Sequence, residues 1–282
     1  MTLCRVREDL VIVDAAGRAI VYLSRKSANM DPLLARVETQ FERVSKAYNF
    51  KPSQRNHRRG DFEAVPTGPS YGGGQQHVGN LKDTPHNRAV IDDYLLKNED
   101  VINLAGFVDS VFQNAAHELH AEYGRVLESI CERHPHVRRN FVNSVFAGVT
   151  FNLGPRAYTV PHTDHLNIPT GWCAVVALGD FNPDEGGHLI LWDLNLLIRF
   201  PRGAIIFLPS ALLVHSNTIV PEGQRRYSLT QYTAGGLTRW VECGFRSQKD
   251  FLAGGGQFTR TSQQRWEEGL SRFPTWSQWQ GE

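Results

Sequence analysis

The chain has 282 residues, 41% of them hydrophobic, and with its glycines the apolar share comes to about half, ordinary for one large globular domain or two small ones. A formal net charge of +1 gives no general electrostatic case for a polyanionic partner, so nucleic-acid contact would need a local basic patch. No apolar run reaches the roughly 18–20 residues of a membrane span, so no membrane partner is expected. The start, MTLCRVREDLVIVDAAGR, lacks the basic-then-apolar layout of a signal peptide. Four scattered cysteines, Cys4, Cys131, Cys173 and Cys243, form no C-x-x-C pair, which predicts free thiols in an intracellular, reducing compartment and argues against a cysteine zinc site.

Residues 10–23, LVIVDAAGRAIVYL, read as two strands joined by a short glycine-containing turn. In DPLLARVETQFERVSKAYNF the apolar residues Leu33, Leu34, Val37, Phe41 and Val44 fall at helical spacing, with Asp31 as the N-cap. Residues 51–87 carry Gly72-Gly73-Gly74, several prolines and few large apolar residues, which predicts a long loop, a lid candidate. Its first part, KPSQRNHRRG, gathers Lys51, Arg55, Arg58 and Arg59 and reads either as a solvated loop or as the local basic patch. Helices are predicted across about 88–98 and 104–134, ending before Pro135.

From about 141 to 232 the pattern is β-like, in the segments SVFAGVTFN, YTVPHTD, WCAVVALGDF, GHLILWDL, LLIRF, AIIFLP, LLVHSN and RRYSLTQYT. Seven or eight short strands with turns such as Pro201-Arg202-Gly203 imply a sandwich or a jelly-roll barrel. Near the C-terminus, SQQRWEEGLSRF puts Trp266, Leu270 and Phe273 on one helical face, expected to pack on the barrel. Helices that precede strands make the class α+β. The expected division is residues 1–134 as strands, helices and the loop at 51–87, residues 135–246 as the β core, and residues 247–282 as a C-terminal helical extension.

Two histidines and an aspartate stand in PHTDH at the mouth of an apolar run, where their burial is costly unless something pairs with them. On a strand, His162 and Asp164 project from the same face. His215, in LVHSN 53 residues further on, supplies a third ligand. Two histidines and one carboxylate on one face of a metal are the facial triad of non-haem Fe(II) oxygenases, which leaves positions open for co-substrate and dioxygen. In QRRYSLTQY, Arg226, Ser228 and Thr230 share one strand face and Arg225, Tyr227 and Leu229 the other. An arginine 11 residues after His215, with a serine two further on, suits a dicarboxylate, and 2-oxoglutarate is the co-substrate implied. Arg225 takes the same role if the register is off by one. His-x-Asp alone is a weak signal; the ordered set is specific.

Other histidines carry less. His117 and His120 lie three apart in HELH without a third ligand. His134 and His136 flank Pro135 at a helix end, where a cation suits the dipole. His188 reads as structural, and His165 is expected to face away from Asp164.

The blocks FNLGPRAYTVPHTDHLNIPTGWCAVVALGDF, GGHLILWDL, RFPRGAIIFLPSALLVHSNT and RRYSLTQYTAGGLTRWVECGF together resemble the TET/JBP-like Fe(II)/2-oxoglutarate-dependent dioxygenases of mushroom-forming fungi, a branch whose genes often sit beside DNA transposons. The resemblance covers about residues 140–246. It implies a double-stranded β-helix, a jelly roll with helices packed on one side. It puts the iron ligands on His162, Asp164 and His215, the 2-oxoglutarate arginine on Arg226 with Ser228 beside it, and a contact to the flipped methylated base on Asn167. A turn residue is the other reading of Asn167.

There are departures from the family pattern. Animal and amoeboid relatives place a base-contacting histidine eight after the arginine, where this chain has Ala234 followed by Gly235 and Gly236. Thr163 stands where many close fungal relatives have arginine, and the cysteine-rich zinc region of animal relatives is absent. The implied reaction couples oxidative decarboxylation of 2-oxoglutarate to oxidation of a methyl group, either 5-methylcytosine to 5-hydroxymethylcytosine and beyond or demethylation of N6-methyladenine. The target base must leave the stack, with the basic stretch at 51–60 or the glycine-rich loop at 66–80 holding the duplex. The implied partner is a DNA duplex with a methylated base, met in the nucleus by a monomer. The alternative is a 2-oxoglutarate hydroxylase of a protein or small molecule, which the near-neutral charge favours.

Overall fold

The computed structural model describes residues 2–4 and 9–280. Strands β1 (Thr2–Cys4), β2 (Leu10–Val13) and β3 (Ala19–Ser24) precede helix α1 (Asp31–Ala47). One helical turn, α2 (Pro52–Arg55), leads to the ribbon β4 (Asn56–His57) and β5 (Gly60–Asp61), then to β6 (Glu63–Thr67) and a second ribbon, β7 (Pro69–Ser70) and β8 (Gly79–Asn80). Helices α3 (Pro85–Ile91), α4 (Glu99–Ala115) and α5 (His117–Arg133) follow. The next strands are β9 (Gly148–Gly154), β10 (Cys173–Leu178), β11 (Leu189–Leu191), β12 (Leu196–Ile198), β13 (Ile205–Leu208), β14 (His215–Asn217) and β15 (Tyr227–Tyr232). Helices α6 (Gly235–Glu242), α7 (Gln248–Ala253), α8 (Ser262–Ser271) and α9 (Trp276–Gln280) close the chain.

Seven strands form one sheet in the order β2-β3-β13-β10-β15-β9-β6, and four form another in the order β1-β12-β11-β14. Side chains alternate across the larger sheet. Ala174, Val176 and Leu178 of β10, Ile205 and Phe207 of β13, and Tyr227 and Leu229 of β15 face the helical layer, where Leu34, Val37, Phe41 and Val44 of α1 meet them. Phe41 sets its ring edge on Phe151 of β9, centroids 5.6 Å apart. The opposite residues, Cys173 and Ala177 of β10 with Ile206 and Leu208 of β13, pack against Leu189, Leu191 and Ile198 of the smaller sheet. The architecture is α+β: two facing sheets in a jelly-roll core with helices on one side.

The 10–24 hairpin joins the large sheet through β3 and β13, and α1 begins where expected, but Asp31 is not its cap. Met30 holds that position without a side-chain hydrogen bond, and Asp31 pairs instead with Lys26 and Arg202. The segment 51–87 is largely ordered rather than one loop. It contributes β6 to the large sheet, paired with β9, and Pro66 is tolerated because β6 is an edge strand that need not donate outward.

The helices predicted across 88–98 and 104–134 are also divided differently. After α3 the chain makes a wider turn in which Lys97 N–H reaches the Asp92 carbonyl. The longer helix breaks at Ala116 (φ −150°, ψ 69°) into α4 and α5, and no glycine or proline marks the break. YTVPHTD forms no regular strand. On α8 Leu270 packs against the core as expected, and Gly269 is buried where a Cβ would lie 2.2 Å from Thr170 Oγ1; Trp266 is exposed, and Phe273, beyond the helix, meets Trp172 edge-on.

Candidate metal centre

His162, Asp164 and His215 converge, but not through the alternation of one strand. Residues 161–167 cross irregularly between the sheets, and His162 and His215 bond backbone to backbone in both directions, at 3.1 and 2.9 Å. The Asp164 N–H donates to the Ser210 carbonyl at 2.8 Å, which turns the carboxylate back toward both rings. Asp164 Oδ1 lies 3.8 Å from His162 Nε2, and Oδ2 lies 3.8 Å from His215 Nε2. All three candidate ligand atoms are within 4.8 Å of one another.

Each imidazole is oriented by the chain just before it. His162 Nδ1 donates to the Val160 carbonyl at 2.8 Å and His215 Nδ1 to the Leu213 carbonyl at 2.9 Å. With the proton held at Nδ1, the Nε2 lone pair of each ring is free to coordinate. Burial, and after it the nearby His215, pushes His162 down to about 4, so its ring is neutral at physiological pH, as a metal ligand must be. Two imidazoles and a carboxylate are the donor set of a non-haem Fe(II) facial triad, and the residues fit that ion.

From this cluster a polar strip runs inward. On β9 and β15 the interior face carries Thr150, Asn152, Ser228 and Thr230, all buried. Asn152 Nδ2 donates to Ser228 Oγ at 2.9 Å and Thr230 Oγ1 at 3.3 Å. Arg226, 1% exposed, closes the strip. Its Nη1 donates to the Ala157 carbonyl at 2.8 Å, but among the described residues Nε and Nη2 have no partner, and neither does Asn152 Oδ1.

Gly187 (φ +72°) lets Arg226 lie there, since a Cβ would come within 3.3 Å of Arg226 Cδ and 2.6 Å of the Phe181 ring. Burial pushes Arg226 down to about 10, so it remains a cation at neutral pH. A buried cation with two idle donors calls for an anion, since buried charge is costly unless paired. Arg225 is placed otherwise: its side chain is 60% exposed and pairs with Glu42 at 2.6 Å, on the outer face.

A cavity of about 200 Å³ opens beside the cluster, lined by Arg58, Arg59, Thr150, Asp164, Asn167 and Tyr232 among others. Arg58 donates to the Thr163 carbonyl at 2.9 Å and approaches Asp164 Oδ1 at 3.4 Å, so the basic stretch at 51–60 reaches the mouth of the site. Asn167 is both a turn residue and part of the cavity wall. Its N–H donates to the Asp164 carbonyl at 2.8 Å, and its side-chain Nδ2 donates to Ser210 Oγ at 2.9 Å. Ala234 bridges Asn167 through the backbone, while Gly235 and Gly236 open α6 and do not line this cavity.

Sequence reasoning missed Thr150, Asn152 and Tyr232. The signal was present in VTFNLG, where polar residues alternate with Val149, Phe151 and Leu153. Four other histidines have roles away from the centre. His120 pairs with Asp109 at 2.9 Å, His188 meets Thr218, and His165 is exposed. His134 is a neutral acceptor for Trp240 Nε1 rather than a helix-end cation, and burial holds it below the usual histidine range. The four cysteines are free thiols. No helix among the described residues is long and apolar enough to cross a membrane.

No family model matches this chain, and no curated protein matches it. Among solved structures it is similar to NgTET1 in complex with 5mC DNA, with 14% identity over 90% of this chain and 89% of that one, at a TM-score of 0.60. It also aligns with an oxidoreductase of the 2OG-Fe(II) oxygenase family from Burkholderia pseudomallei (11% identity, 75% of this chain and 94% of that one, TM-score 0.37). A third alignment is with a Pseudomonas putida prolyl-4-hydroxylase (14%, 79% and 96%, TM-score 0.40). The first of these establishes a shared fold.

Proposed function

We propose that this chain belongs to the TET/JBP-like dioxygenases and oxidises the methyl group of a methylated base in DNA, using Fe(II) and 2-oxoglutarate. The observation that carries the reading is the buried Arg226 guanidinium with two idle donors, on the same interior surface as three converging metal ligands. His162, Asp164 and His215 would hold the iron, through Nε2 of each ring and the carboxylate. The iron, once bound, supplies the oxidising chemistry that couples decarboxylation of 2-oxoglutarate to oxidation of a methyl group.

The chain's own residues do the rest. Arg226 Nε and Nη2 take the distal carboxylate of 2-oxoglutarate in the bidentate manner that a planar guanidinium favours. Ser228, already tied to Asn152, adds a hydroxyl beside it. The cavity at the cluster is smaller than the roughly 300 Å³ at which drug-sized pockets begin, so it accepts one ring and not a folded segment. Asn167, with one end of its amide committed to Ser210, offers the other to a base edge. Arg58 and Arg59 place positive charge at the mouth, where phosphates of an opened duplex pass. The fold shared with a TET structure solved on 5mC DNA supports this substrate class. The reading places a monomer in the nucleus, where such DNA lies.

The test is nucleoside mass spectrometry after incubation with Fe(II), ascorbate, 2-oxoglutarate and duplexes carrying 5-methylcytosine or N6-methyladenine. Oxidised or demethylated product, lost in His162→Ala, is expected and identifies the base. Succinate without nucleoside product would move the substrate to a protein or small molecule, the reading that the net charge of +1 favours.

A further inference from the structure

The lip of the cavity carries a residue that its local structure does not call for. Residues 164–167 form a tight turn closed by the Asn167 N–H and the Asp164 carbonyl, with His165 and Leu166 at its centre. Turn centres favour glycine, asparagine, aspartate and serine. Leu166 instead presents a large apolar side chain that is 54% exposed. The turn is stiff. The Leu166 carbonyl accepts from Gly235 N–H at 2.8 Å, and Ile168 N–H donates to the Thr233 carbonyl at 3.1 Å.

The neighbours fit a partner with both an apolar and an anionic part. Leu166 lines the cavity together with Arg58 and Arg59, and Arg59 forms no ion pair among the described residues. Val160, whose N–H donates to the Arg59 carbonyl at 2.8 Å, is another exposed apolar residue of this segment, 41% exposed. Gly73 of the glycine-rich loop lies under Leu166, at a distance where a Cβ would make only ordinary contact, 3.6 Å from Leu166 Cδ1.

Resting on the DNA reading above, we propose that Leu166 is a wedge that enters the base stack as the target nucleotide leaves it. Taking a base out of a duplex opens a gap whose stacking surfaces face water, and apolar side chains inserted between base steps fill such gaps. A wedge must be apolar, stiff, exposed and next to the pocket that receives the base, with cations beside it for the displaced phosphates. Leu166 meets each condition, two residues after Asp164 and next to Asn167. A protein or small-molecule substrate would have no stack for it to fill.

The experiment uses a duplex with 2-aminopurine beside the methylated base, and compares wild type, Leu166→Ala and Leu166→Met. Binding of wild type and L166M should brighten the 2-aminopurine as its neighbour unstacks, and L166A should leave it quenched. In parallel, the ratio of turnover on duplex to turnover on the matching single strand should fall about ten-fold or more in L166A, because only the duplex needs its stack opened. Brightening by L166A equal to wild type, or an unchanged ratio, would overturn the wedge while leaving the DNA reading in place. Wild type inert on both duplex and single strand would overturn the DNA reading and the wedge with it.

Discussion

The space between the two sheets has two ends built from the same strand geometry and opposite chemistry. Where β10 and β13 frame it, the inward residues Cys173, Ala177, Ile206 and Leu208 are apolar and close on the smaller sheet. Where β9 and β15 frame it, the inward residues are Thr150, Asn152, Ser228 and Thr230, with Arg226 at the foot. The first end is a dry core that stabilises the fold. The second keeps hydrogen-bonding capacity in reserve, at Arg226 Nε and Nη2 and at Asn152 Oδ1. A buried donor without a partner costs about 1–3 kcal/mol, more when charged. The comparison teaches that the polar end is held in a ligand-ready shape by stability generated at the apolar end and in the helical layer.

The sharpest way to break the comparison is at the metal ligands. His215→Ala should lose Fe(II) retention and bring turnover below detection, with the far-ultraviolet circular dichroism of wild type. Full turnover in that variant would mean the centre lies elsewhere. Arg226→Met comes next. Removing one partner of a buried charge pair costs about 2–5 kcal/mol of binding, so the KM for 2-oxoglutarate should rise by roughly 30-fold or more. In the absence of 2-oxoglutarate the same variant should be more stable than wild type, by about 1–3 kcal/mol in denaturant unfolding. A loss of stability there would show that the guanidinium is already satisfied without a ligand.

Leu208→Ala tests the other end. It should cost about 2–5 kcal/mol of stability and leave the 2-oxoglutarate KM close to wild type. Arg225→Ala is expected to do least, since its exposed pair with Glu42 lies on the outer face and such pairs contribute little. A raised KM in Arg225→Ala would move the co-substrate carboxylate from Arg226 to Arg225.

Much of the fold was legible because periodicity survives in this sequence. The buried face of α1 carries a period of 3.6 and RYSLT a period of two, while the 10–24 hairpin and WCAVVALGDF read as short apolar runs bounded by turn residues. What misled was punctuation. Glu63–Thr67 contains Pro66 and sits among glycines, so it reads as loop, yet edge pairing with β9 makes it a strand. YTVPHTD alternates like a strand, yet Asp164 bonds to Ser210 and the segment crosses between sheets. The ligands found by assuming a strand therefore meet through a different geometry. The break at Ala116 had no local signal at all.

By itself the sequence determined which residue types could form a metal and anion site, because histidine, aspartate and arginine spaced through β-rich sequence have few other uses there. It also determined the two sides of each strand, because side-chain alternation is a local property of the backbone. Only tertiary structure decided between Arg225 and Arg226, since a one-residue slip exchanges the faces. Pairing of Ser228 with Asn152 on one side and Ala177 on the other turns Arg226 inward. Tertiary structure alone also brought Arg58 from 106 residues away to Asp164 and set Leu166 at the lip of the cavity, because contacts between distant segments depend on how the sheets and loops close and not on any local pattern.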